Sequence, residues 1–369
     1  LATIPVTQNN DVQLIINGKP KFELVFAEIA NAQQYILVEY YIVNNDELGI
    51  RLRDALIAKA KQGVRVYFNF DDIGSSKLRA TFLDPMRDAG IKATAFSGGR
   101  SRFGRSRMNF RNHRKIVIVD GQVGFLGGIN VGDEYLDLHK QLTPWRDTHL
   151  CVRGPVVQAM QLVFMRDWFY ATEEVPELNW QIEQQAANRK GVIVATGPTD
   201  NVDKGSLFFS ETIDAARKRV WIATPYFIPD DVTLGALQLA ALRDVEVRVL
   251  IPRKTDNVLF HFAPYAYLHE VEKIGGQVWL YEKGFMHQKV MLIDDEVAVV
   301  GTANFDNRSF RLNFEINALF ADQAFAREVA AMLTADFAQS TRLTVEEFNN
   351  RSIFYRFAAR VTRLASPIL

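Results

Sequence analysis

The chain has 369 residues, 48% of them apolar and 23% charged, with 43 basic residues balanced by 43 acidic ones. That composition excludes disordered, collagenous and coiled-coil classes. A net charge of zero also lacks the basic excess of a dedicated nucleic-acid binder, so any affinity for anions must come from local clustering.

The sequence begins at Leu1 rather than Met and holds neither an apolar run long enough to span a bilayer nor a signal-peptide pattern, which leaves room for a membrane anchor upstream. A helix is expected from Lys21 to Ala32, a buried strand from Tyr35 to Val43, a helix from Glu47 to Lys61 and, past Gly63, a strand from Val64 to Asp71. The second half repeats this order, with a helix from Glu211 to Arg217, a strand from Val220 to Ile228, a helix from Leu234 to Leu242 and a strand from Val245 to Ile251. Strand-length apolar runs alternating with helical periodicity predict an α/β fold with a mixed or parallel sheet. The polar stretch 172–190, with Pro176, reads as the connection between a first half, 1–171, and a second, 191–369. The lone Cys151 sits in a strand-like run and cannot close an internal disulfide.

The repetition becomes strict at one motif. His113-Arg114-Lys115 is followed by four apolar residues and Asp120; His287-Gln288-Lys289 is followed by four and Asp294. Each aspartate is followed at seven residues by a glycine, Gly127 or Gly301, and at ten by an asparagine, Asn130 or Asn304. Two such matched copies are not an accident of composition.

In an extended segment His113 and Lys115 share a face, roughly 7 Å apart, as do His287 and Lys289, so each pair can reach one phosphate. Asp120 and Asp294 have the opposite parity. They complete the motif with a structural role, each pointing inward to hold a buried polar network. Asn130 and Asn304 offer uncharged amide donors to phosphate oxygens. Phosphodiester exchange needs two imidazoles, one attacking phosphorus as a neutral nucleophile and one donating a proton to the leaving oxygen. Two lysines stabilise the charge that develops on the phosphoryl group. No cofactor is called for, and no histidine and carboxylate cluster has metal-ligand spacing. Each histidine also needs an acid to orient it. Asp147 and Glu315, each an acid within a strand-like run a comparable distance downstream of its motif, are assigned that task.

These residues resemble the phospholipase D superfamily, whose members join two such motifs across a pseudo-twofold axis. The flanks Gly127-Gly128-Ile129-Asn130, Gly301-Thr302-Ala303-Asn304, Thr224-Pro225-Tyr226-Phe227 and Ile251-Pro252-Arg253-Lys254 resemble the cardiolipin synthases within it. The resemblance implies two similar halves packed with one active site between them. It further implies His113 as nucleophile, His287 as general acid and base, and transfer of a phosphatidyl group from one phosphatidylglycerol to another at a bacterial inner membrane. A hydrolase passing that group to water, or a nuclease, would use the same residues, although no nucleic acid is expected here. Gly128 stands where many superfamily members carry serine while Thr302 keeps a hydroxyl, so one hydrogen bond fewer is expected at the phosphate.

Three further stretches bear on the partner. Arg100, Arg102, Arg105, Arg107, Arg111 and Arg114, interleaved with Phe103, Met108 and Phe110, suit an anionic lipid surface. Arg356, Arg360 and Arg363 lie at helical spacing in the basic amphipathic stretch from Phe354 to Leu364. The aromatic stretch from Phe260 to Leu268 could line an acyl channel or fill a core. His139, His149, His261 and His269, outside any motif, are read as structural.

Overall fold

The computed structural model describes residues 4–96, 110–138, 142–255, 258–356 and 359. Arg100, Arg102, Arg105, Arg107, His139, Arg360 and Arg363 therefore lie outside the described residues, as do the side chains of residues 258–261, 263, 264 and 266.

Two mixed sheets are built on the same plan. The first runs Thr7–Ile16, Thr148–Arg153, Val123–Gly127, Ile116–Val119, Tyr35–Tyr40, Arg65–Asp71 and Lys92–Phe96. The second runs Arg189–Thr196, Asn313–Ala321, Val297–Gly301, Val290–Ile293, Arg219–Ala223, Glu246–Pro252, Gln277–Tyr281 and Ser340–Leu343. In each, the antiparallel motif hairpin lies beside a parallel set of three strands. Strand Thr7–Ile16 joins the sheets, pairing with Arg189–Thr196 at Thr7 and Asn10 and with Thr148–Arg153 from Asp11 onward.

The helices form where side-chain caps and apolar faces coincide. Asp46 caps Glu47–Ala60, Asp230 caps Asp231–Leu242 and Asp322 caps Gln323–Phe337, each accepting a backbone N–H of the first turn. Helix Pro155–Thr172, which opens on proline at its first turn, is absent from the expectation above. It carries Val163, Phe164 and Trp168 into a core that also contains Leu292, Val300, Ile316, Phe325 and Leu333 of the second sheet and its helix. At about 1.5–3 kcal/mol for each large buried side chain, this shared core is what presses the halves together. Two further cores lie under the outer helices of each half. Tyr265, Tyr267 and Leu268 belong to the second of these, so the described part of the aromatic stretch fills a core.

The expected strand from Val220 to Ile228 is corrected. It stops at Ala223, and Phe227–Ile228 forms a separate short strand after the Thr224-Pro225 turn, because proline cannot donate to the ladder. The expected helix from Glu211 to Arg217 in fact runs Lys204–Asp214. Among the described residues no helix is long and apolar enough to cross a membrane.

Candidate active site

Neither H-x-K triplet lies within a strand. Residues 113–115 and 287–289 are extended segments between a two-residue strand and the motif strand, Ile116–Val119 or Val290–Ile293. The short strand Arg111–Asn112 pairs with Asn313–Phe314 of the second half, and Phe285–Met286 pairs with Trp145–Arg146 of the first. Each motif is thus delivered to the interface by a strand contact with the opposite half.

His113 and His287 line one cavity of about 540 Å³, together with Asn130, Asn304, Tyr41, Tyr226, Trp145, Arg111, Arg308 and Glu134. Both oxygens of Glu315 lie 3.0 Å from Nδ1 of His113. That contact puts the proton on Nδ1 and leaves the Nε2 lone pair available. Oδ2 of Asp147 lies 3.2 Å from Nδ1 of His287, which also meets the Lys289 ammonium at 2.8 Å. The orienting acids therefore cross the interface: each belongs to the half opposite its histidine, whereas the spacing had set each beside its own motif.

Lys115 and Lys289 are buried under the histidines, each donating to the carbonyl of its own motif histidine. Asn130 donates to the Tyr135 hydroxyl at 2.9 Å and accepts from the Ile42 N–H, while Asn304 aims a carbonyl oxygen that has no partner among the described residues. Asp120 and Asp294 sit elsewhere, at the far ends of the motif strands, and line no part of the cavity. Asp120 accepts the backbone N–H groups of Gln33, Gln34 and Tyr35, and Asp294 those of Arg217, Lys218 and Arg219. The buried side-chain network expected of them is thus replaced by a clamp on the start of the neighbouring strand.

Burial drives the electrostatics. It pushes the His113 imidazole down to about 4, against the pull of Glu315 and with the help of Lys115 and Lys289. Burial also pushes the Lys115 ammonium down to about 7, with Glu315 opposing. Burial alone would raise the Glu315 carboxyl, but His113, Lys115 and the Thr302 hydroxyl hold it at about 2. Asp147 is likewise held low against burial, by Lys289 and His287. The arrangement is a neutral imidazole on an ionised carboxylate, beside a second imidazole that lies between a carboxylate and an ammonium.

The Gly128 and Thr302 expectation is corrected too. Thr302 Oγ1 donates to Glu315 at 2.5 Å and so serves the orienting acid. At position 128 any Cβ would overlap the Asp147 carboxylate, so glycine there makes room for the orienting acid.

A family model described as cardiolipin synthase, PLD-like domain, matches residues 25–168 and 209–339. Cardiolipin synthase A of Pseudomonas putida (strain GB-1) is 46% identical over 372 residues, covering 100% of this chain and 77% of its own. That of Pseudomonas aeruginosa (strain LESB58) is 46% identical over 365 residues, covering 99% and 74%. The chain belongs to the cardiolipin synthase family. Its fold is that of phosphatidylserine synthase from Haemophilus influenzae Rd KW20, at a TM-score of 0.74, 13% identity and coverage of 100% and 98% of the two chains.

Within this cardiolipin synthase fold, two buried arginines back the orienting acids; the sequence did not mark Arg146, and the assignment of Arg114 to a lipid-facing basic surface is corrected, because its guanidinium is buried. Arg114 donates to the Glu315 carbonyl at 3.0 Å while ion-pairing with Asp167 of helix Pro155–Thr172. Arg146 donates to the Asp147 carbonyl at 2.7 Å while ion-pairing at 2.7 Å with Asp336, across the interface, where Gln288 also donates. Behind His113, one oxygen of Glu39 accepts amides from Asn69 and Asn112. Burial and the charge of Asp167 push the Glu39 carboxyl well up, which favours its neutral form beside Asp167. An acid inside the apolar run Tyr35-Ile36-Leu37-Val38-Glu39-Tyr40 was the signal that could have revealed it.

Proposed function

We propose that this chain is a phosphatidyltransferase that makes cardiolipin and glycerol from two phosphatidylglycerol molecules, through a phosphatidyl-histidine intermediate. The observation that carries the reading is the pairing of two motif histidines in one cavity, each oriented by an acid from the opposite half. His113, neutral and with its Nδ1–H donated to Glu315, attacks phosphorus through Nε2. The bond from phosphorus to the headgroup oxygen breaks, and His287 gives its proton to that oxygen. The hydroxyl of a second phosphatidylglycerol then loses its proton to His287. Its oxygen bonds to phosphorus as the phosphorus–nitrogen bond breaks, which restores both imidazoles. Lys115 and Lys289, with Asn130 and Asn304 on the wall, suit the charge that spreads over the phosphoryl oxygens. Asp147 and Glu315 hold the rings in register, and Asp120 and Asp294 hold the strands. The working surface is the cytoplasmic membrane of a bacterium, where the substrate lipids reside.

The test uses phosphatidylglycerol vesicles with excess EDTA, comparing the wild type with His113→Ala and His287→Ala. Cardiolipin and glycerol from wild type only is the expected result. Phosphatidic acid as the sole lipid product would make the chain a hydrolase, and absence of lipid turnover would overturn the reading.

A further inference from the structure

The catalytic groups of the two halves match, but the cavity walls do not. Four residues after Asn130 stands Glu134; four after Asn304 stands Arg308, and both line the cavity. The pseudo-twofold relation that carries His113 onto His287 therefore carries an anion onto a cation. Arg308 belongs to the His113 end: its charge and that of Arg111 act on Tyr41, whose ring lies 4.9 Å from that of His113. The same relation sets Glu134 toward the other end. Its carboxylate accepts the Asn44 amide at 3.0 and 3.2 Å, and its neighbour Tyr135 packs 4.5 Å from Trp145, which lies 5.4 Å from His287.

In an in-line displacement the leaving oxygen departs opposite the nucleophile. With His113 attacking, the departing headgroup and the arriving alcohol both occupy the His287 end, where Glu134 stands. A carboxylate accepts hydrogen bonds only, and its two oxygens suit two neighbouring hydroxyls. An ammonium headgroup would also be drawn to it, but that group would share the cavity with the guanidiniums of Arg111 and Arg308, which repel it.

We propose that Glu134, held by Asn44, selects the headgroup alcohol, its carboxylate binding the hydroxyls of glycerol as it leaves and as it arrives. The proposal rests on the phosphatidyltransfer reading above. The experiment offers phosphatidylglycerol vesicles to the full chain with labelled glycerol or with 1-propanol as acceptor. The ratio of kcat/KM for glycerol exchange to that for phosphatidylpropanol formation is then measured. Wild type should prefer glycerol, Glu134→Leu should lower the ratio about tenfold or more, and Glu134→Asp should recover part of it. Asn44→Ser, which releases the carboxylate without removing it, should lower the ratio by a smaller factor. Variants that depress both acceptors equally, with the ratio intact, would give Glu134 a merely structural role and overturn the proposal. A Glu134→Leu chain too unstable to assay passes the decision to Asn44→Ser, whose unchanged ratio would overturn it as well. A wild type that transfers to neither alcohol would instead remove the phosphatidyltransfer reading on which the proposal stands.

Discussion

Glu315 of the second half holds His113 of the first, with both carboxylate oxygens 3.0 Å from Nδ1. Asp147 of the first half meets His287 of the second through one oxygen, 3.2 Å from Nδ1. Neither half thus contains a complete histidine and acid pair, and the interface itself is the catalytic unit.

Glu315→Gln should keep the fold, since an amide can occupy the same space, but lose the ionised acceptor of the Nδ1 proton. A fall in kcat of roughly 10²–10⁴-fold is expected. Burst measurements should place that loss in formation of the phosphatidyl-enzyme. Asp147→Asn should instead slow the proton steps at His287, shifting the other limb of the pH–rate profile. Identical profiles for the two variants would contradict the division of labour.

Gly128→Ala tests the space beside Asp147. Its Cβ would overlap the carboxylate, and relief of such overpacking costs about 1–3 kcal/mol. Stability and activity should fall together. Thr302→Ser should keep the hydroxyl donated to Glu315 and approach wild-type activity, while Thr302→Val should not. A harmless Gly128→Ala would show that Asp147 has another place to go.

Arg146 and Asp336 form a buried ion pair across the interface. Arg146→Met leaves the Asp336 carboxylate, among the described residues, with the Gln288 amide alone and should destabilise by about 3–5 kcal/mol in urea unfolding. Replacing both partners with methionine should recover most of that stability, because no unpaired charge remains. A double variant no better than the single one would argue that the pair is irreplaceable.

The pH dependence of stability follows from His113 and Glu315. His113 is held at about 4 when folded against an ordinary 6.5, so the unfolded chain takes up the proton first. Stability therefore falls as pH drops from about 6.5 toward 4. His149, fully buried and also pushed down, acts in the same direction. Glu315, held at about 2 against 4.5, adds stability that is present above about 4.5 and is lost toward 2. The urea midpoint should fall continuously across both windows, and His113→Asn should remove part of the upper slope.

Glu39 has the opposite sign. Its carboxyl is pushed well above 4.5 in the fold, so its contribution is full below that value and is lost as pH rises toward the folded one. Glu39→Gln keeps an acceptor for Asn69 and Asn112 and removes the titrating group. It should match wild type near pH 4 and exceed it in stability at pH 8. Lower stability at both would contradict a neutral Glu39 carboxyl.

Sequence alone determined the duplication, the paired motifs and the α/β class, because these are local properties: a 2-residue or 3.6-residue period and a fixed spacing survive without knowledge of neighbours. It also picked out Asp147 and Glu315, since an acid in an apolar run has to be satisfied. Only the tertiary structure decided which histidine each acid serves, because strands Arg111–Asn112 and Phe285–Met286 pair with the opposite half at a separation no spacing rule encodes. The partners of Arg114, Arg146 and Glu39 were hidden for the same reason. Gly128 was misread because its meaning is the volume of Asp147 beside it. The charge-opposed walls at Glu134 and Arg308 acquire sense only once the pseudo-twofold axis sets them around one cavity.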